Sequence, residues 1–105
     1  MKVKVPTQIK IGAHSYGVLL KEYLRSDEGC SGCIHHRKKY IELEANSHPT
    51  TKSITLNHEV IHLLSEMYGC GLEESGVESL SQGITEYLLR NFGIEFDWSD
   101  IPTED

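Results

Sequence analysis

Two periods of hydrophobicity divide the chain. In the first part, apolar and polar residues alternate, which is the period-two signature of a half-buried strand. Gln8-Ile9-Lys10-Ile11 alternates, Gly12-Ala13-His14-Ser15 supplies turn residues, and Tyr16-Gly17-Val18-Leu19-Leu20 returns, so residues 7–23 are predicted to form a β-hairpin. Pro6 belongs ahead of that ladder or on an edge, because it has no N–H to give. Ser26-Asp27-Glu28-Gly29 reads as a loop, and Tyr40-Ile41-Glu42-Leu43-Glu44 alternates again as a third strand. Asn46-Ser47-His48-Pro49 ends it, and from there the period becomes helical. At about 100° per residue, Leu56, Val60, Leu63, Leu64 and Met67 share one arc with Ile61 at its margin. This helix is predicted over residues 50–68, capped by Thr50 or Thr51 and stopped by Gly69 and Gly71. A second helix is predicted over 74–91, with Val77, Leu80, Ile84, Tyr87 and Leu88 on its buried face. Beyond Gly93, Ile94, Phe96 and Trp98 alternate among acids, which predicts an extended segment against the body and a frayed acidic end; docking of a partner by this tail is the alternative.

The expectation is therefore an α+β fold: a small, mainly antiparallel three-stranded sheet from residues 1–45, packed against two helices from 50–91, with an acidic and aromatic tail over 92–105. At 105 residues there is room for one modest core and one domain. The net charge of −6 argues against a nucleic-acid partner, since such affinity is carried by many Lys and Arg contacts to phosphate. The short basic cluster Arg37-Lys38-Lys39 reads as a solvated strand or turn. No apolar run suits a signal peptide and none approaches membrane-spanning length, so the expected location is the cytoplasm, with no membrane partner. Cys30, Cys33 and Cys70 are an odd number, and reduced thiols are expected.

The chemistry lies in Thr55-Leu56-Asn57-His58-Glu59-Val60-Ile61-His62. His58 and His62 are four apart, so a helix presents both imidazoles on one face from successive turns, outside the apolar arc. Neutral imidazole suits Zn²⁺, and a site with three protein ligands keeps a position for water, with Glu59 as the general base that takes its proton. The candidates for a third ligand are Glu66, Glu73, Glu74, Glu78 and Glu86. Glu66 shares the histidines' helix, and a single straight helix does not wrap three ligands tetrahedrally around one ion. Glu86 points away from the apolar face of the second helix. Glu78 lies on the flank of that face and is the preferred ligand, although Ser75-Gly76-Val77-Glu78 also matches a capping box. Glu73 and Glu74 suit a helix N-terminus as acids, and Glu74 stays open as the alternative ligand.

His58-Glu59-Val60-Ile61-His62, followed by Tyr68-Gly69-Cys70-Gly71-Leu72-Glu73-Glu74 and Val77-Glu78-Ser79-Leu80-Ser81-Gln82-Gly83-Ile84, resembles the short zincin-type metallopeptidase domains of phages and prophages. These are similar, more distantly, to ImmA/IrrE-type and SprT-like gluzincins. The resemblance implies a small sheet whose edge strand aligns an extended peptide, His58 and His62 as zinc ligands, Glu59 as base, and Glu78 as the acid from the next helix.

The cysteines suggest a rival metal site. Cys30-Ser31-Gly32-Cys33 has the spacing of half a structural zinc site, which His35, His36 or Cys70 would complete, although plain thiols in a loop are the simpler expectation. Two functional classes follow. One is a zinc metallopeptidase acting on a peptide or protein, with Tyr68, Tyr87 or His48 as candidates to stabilise an oxyanion. The other is a non-catalytic zinc-binding domain that docks a partner protein on the same scaffold. An intact Glu59 favours the enzyme, because a purely structural ion needs no base.

Overall fold

The hairpin forms where the alternation predicts it. The structure, a computed structural model, describes residues 1–104, apart from the side chains of residues 27 and 28. Strands β2 (Gln8–Ile11) and β3 (His14–Lys21) pair antiparallel around Gly12, whose φ of +60° only glycine adopts without strain. The fold is α+β as expected, but the sheet is larger and mixed. Strand β5 (Tyr40–Glu44) lies beside β3 and runs parallel to it, pairing Val18 with Ile41 and Leu20 with Leu43. The reason lies in the intervening chain. The short helix α1 (Leu24–Glu28), ended by Gly29 in the left-handed conformation, replaces the expected loop. It leads to a missed strand, β4 (Gly32–His35), which pairs antiparallel with β5 on the outer edge. With that edge hairpin in place, β5 reaches β3 in the parallel sense.

The tail also differs from expectation. It runs extended against the body as predicted, but Thr103 and Glu104 are strand-paired rather than frayed. Strand β6 (Glu95–Asp97) pairs parallel with β1 (Lys2–Lys4), and β7 (Thr103–Glu104) pairs parallel with the end of β3 beyond β2. The five-stranded sheet thus has the order β2-β3-β5-β4 with β7 against β3, and β1 and β6 form a separate ribbon. Residues 94–104 dock on their own chain. Arg37, Lys38 and Lys39 form an exposed turn.

One face of the sheet carries Tyr16, Val18, Leu20, Ile41 and Leu43 into a core completed by Leu56 and Leu63 of α2 (Pro49–Tyr68) and by Ile101. Each such aliphatic side chain contributes about 1.5–3 kcal/mol when buried. Pro49 occupies the first helical turn, so the cap falls on His48 and not on Thr50 or Thr51; His48 Nδ1 accepts from the Thr50 N–H at 3.1 Å. Gly69 ends the helix with φ +65°. Helix α3 (Glu74–Phe92) then runs back along α2. No helix among the described residues is long and apolar enough to cross a membrane.

Helix α3 is rotated about its axis relative to the sequence expectation. Val77 is buried, but Leu80, Ile84 and Tyr87 are 45%, 42% and 57% exposed. The face turned to α2 carries Val77, Ser81, which is fully buried, and Thr85, whose hydroxyl accepts from Asn57 Nδ2 at 2.8 Å. Small side chains let the two backbones come close, and the donor on Asn57 needs its partner. Together these outweigh the apolar stripe one step round the helix. Ile61, which the pattern put at the margin of α2, is buried outside the main core cluster.

Candidate metal centre

Helix α2 serves two neighbours, and the histidines lie between them. Leu56, Val60, Leu63 and Met67 face the sheet, while Asn57 meets α3. His58 and His62 project from the remaining side as the i, i+4 spacing requires, with Nε2 atoms 3.2 Å apart. Both rings are partly buried.

The acid that meets them is Glu74. Its Oε1 lies 2.7 Å from His58 Nε2 and its Oε2 lies 2.9 Å from His62 Nε2, so one carboxylate spans both imidazoles. The nitrogen and oxygen atoms of His58, His62 and Glu74 lie within 4.8 Å of one another and can hold a metal ion. Glu78, the residue preferred from sequence, lies outside this cluster and lines the adjoining cleft. Both acids lie on the side of α3 turned to α2, one turn apart, and it is the first turn, with Glu74, that stands level with both histidines. The predicted capping box does not form either, because α3 is preceded by extended Glu73 with no side-chain cap, which makes Glu74 its first residue.

The donor set fits zinc by its chemistry. With bonds near 2.0–2.1 Å, tetrahedral nitrogen and oxygen ligands stand about 3.3 Å apart; the imidazole pair at 3.2 Å matches this, and the imidazole–carboxylate contacts at 2.7 and 2.9 Å must open to admit an ion. Each Nε2 also faces two partners at once, the other imidazole and the carboxylate, although it offers a single proton or a single lone pair. A cation between the three groups satisfies all of them together.

Glu59 is buried beside the cluster. Burial pushes its carboxyl above the usual carboxylate range, and the neighbouring imidazoles oppose the rise. It opens onto a cleft of about 690 Å³, which is walled by Thr55 and His58 of α2, Glu74, Glu78 and Gln82 of α3, and the loop from Gly29 to Gly32. That loop reaches the site because Gly32 packs directly on α2. A Cβ at Gly32 would stand 2.5 Å from Thr55 Cγ2 and 3.0 Å from Leu43 Cδ2.

Tyr68, Tyr87 and His48 are absent from the cleft wall. Tyr68 and Tyr87 are exposed, and His48 is spent on capping α2. Sequence reasoning missed the Gly29–Gly32 wall and Gln82. The signal for the wall was Gly32 itself, a strand glycine that marks a close approach of another element. The Cys-x-x-Cys spacing does not make a site either. Cys30 lines the cleft, while Cys33 sits on β4 with His35 and Glu42. No protein-family model matches this chain, and no curated protein or solved structure matches it.

Proposed function

We propose that the chain is a zinc-dependent metallopeptidase, with His58, His62 and Glu74 as the metal ligands and Glu59 as the general base. The observation that carries this reading is the single carboxylate of Glu74 spanning both imidazoles, with a buried glutamate next to the first of them and a cleft in front. Zinc bound there would polarise a peptide carbonyl and acidify a water molecule. The chain's own groups do the rest. Glu59 takes the proton from the attacking water and carries it toward the leaving nitrogen. The wall from Gly29 to Gly32 continues into the edge strand β4, which among the described residues pairs with β5 alone and lies beside the cleft as a strand against which an extended peptide can align. A peptide or protein is therefore the expected substrate.

Glu59→Gln tests the proposal, because it keeps nearly the same size and removes the proton acceptor. Hydrolysis of a broad peptide library should fall by about 10²–10⁴ while zinc content and melting temperature stay near the wild-type values. If Glu59→Gln cleaves at the wild-type rate, the proposed mechanism is wrong.

A further inference from the structure

Away from the cleft, the sheet face opposite the α2 core carries a second group of ligand atoms. Cys33 and Glu42 are directly opposed across β4 and β5, and His35 stands two pairs further along on the same face, opposite Tyr40. Cys33 Sγ lies 3.4 Å from His35 Nε2 and 3.8 Å from Glu42 Oε1, and His35 Nε2 lies 2.6 Å from the same oxygen. From these residues we infer a second transition-metal site, of zinc type, that ties the edge strand β4 to β5 through Cys33, His35 and Glu42.

Three observations support it. The first is donor chemistry: thiolate, imidazole and carboxylate are the ligand types zinc takes, one of each is present, and all three atoms lie within 4.8 Å of one another. The second is geometry. A tetrahedral set with ordinary zinc bonds has sulfur-to-nitrogen and sulfur-to-oxygen edges of about 3.5 Å, near the two sulfur distances here, and only the short imidazole–carboxylate contact must open to admit an ion. The third is the setting. Glu42 is 3% exposed, and its carboxylate is held toward the site by His35 Nε2 at 2.6 Å. The His35 ring is held by stacking on Tyr40, with centroids 4.2 Å apart and planes inclined by 17°, so Nε2 is fixed toward Cys33 and Glu42. A hydrogen-bonded triangle without metal uses the same atoms, and the test separates the two. On binding, the Cys33 thiol gives its proton to solvent and its sulfur bonds the ion; nothing is oxidised or reduced. The site goes beyond the proposed peptidase centre, because the two share no ligand.

Cobalt reports thiolate ligation directly. Chelator-stripped full-length protein titrated with Co²⁺ should develop the near-ultraviolet charge-transfer band of a cobalt–thiolate bond. Cys33→Ser should abolish the band, while Cys30→Ser, Cys70→Ser and His58→Ala should keep it. His35→Phe retains a ring against Tyr40 and should weaken or remove the band, so the result does not depend on one variant folding. Zinc content should be about two ions per chain in the wild type and about one in either Cys33→Ser or His58→Ala. A wild type without the band, or a band that survives Cys33→Ser, overturns the second site. A single zinc lost only with His58→Ala overturns it while leaving the peptidase reading intact. A single zinc lost only with Cys33→Ser supports the second site and removes the first.

Discussion

Glu74 and Glu78 are one helical turn apart and carry different expectations. Glu74→Ala should weaken zinc binding by more than the roughly 10–100-fold that loss of an outer-shell partner costs, whereas Glu78→Ala should weaken it less than about tenfold. A competitive zinc titration in a Cys33→Ser background, where one site reports, distinguishes them; equal affinities for the two variants would remove Glu74 from the ligand set. The placement of His58, Glu59 and His62 together on one helix was legible, because their spacing is local and the helix imposes it. That Glu74, and not Glu78, meets the histidines was not legible, because it depends on which turn of α3 stands level with them, and both acids offered a plausible local reading. Glu44 shows a similar effect away from the cleft. The Arg25 and Asn46 N–H groups donate to its carboxylate at 2.9 and 3.1 Å and hold its carboxyl below the usual range. A depressed folded value means that the ionised group stabilises the fold above the ordinary carboxylate pKa, and that this contribution is lost as pH falls through the folded value. Urea midpoints of Glu44→Gln should therefore lie below wild type near neutral pH and converge with it in acid, and a gap that is constant with pH would contradict this.

Among the elements, α2 was read nearly to the residue and α3 was read in extent but not in orientation. Helix α2 buries a broad apolar face against the sheet, so its hydrophobic pattern and its packing agree. In α3 they disagree, since Leu80, Ile84 and Tyr87 form a stripe that the fold leaves outside, while Ser81 is fully buried. Periodicity locates a helix but cannot weigh a close contact of small residues against an oily face. The stability of point variants should follow the structure and not the stripe. Ser81→Leu inserts bulk between the two helices and should cost about 1–3 kcal/mol, whereas Leu80→Ala should stay within about 0.5 kcal/mol, as surface changes usually do. Urea unfolding measures both, and a Leu80→Ala loss larger than that of Ser81→Leu would place α3 in the orientation the sequence suggested. The missed strand β4 has a similar cause. It begins at Gly32, between Cys30 and Cys33, where the composition reads as a loop, and it becomes a strand through pairing with β5 and contact with α2.

For the molecule as a whole, the α+β class was legible and the topology was not. Three of the chain's pairings, β3 with β5, β3 with β7 and β1 with β6, are parallel and bring together residues far apart in sequence. Period-two alternation carries no information on strand direction or partner. The tail shows the consequence: its alternating Ile94, Phe96 and Trp98 suggested an extended piece, but not that Ile101 would be buried in the core or that the Leu20 N–H would donate to the Pro102 carbonyl at 2.9 Å. The candidate metal centre is likewise long-range, because its side chains come from both helices and an ion there would join α2 to α3. An ion that binds only the folded chain stabilises it by mass action, by about 4 kcal/mol when free zinc exceeds the dissociation constant a thousandfold. At roughly 4–8 °C per kcal/mol for a domain of about this size, chelation should lower the wild-type melting temperature by well over 10 °C. His58→Ala should start lower and respond less to chelator, because it lacks the ion proposed to join the two helices. If the wild type contains zinc by elemental analysis and chelation leaves its melting curve unmoved, the ion does not join the two helices, and the assignment of Glu74 fails with it.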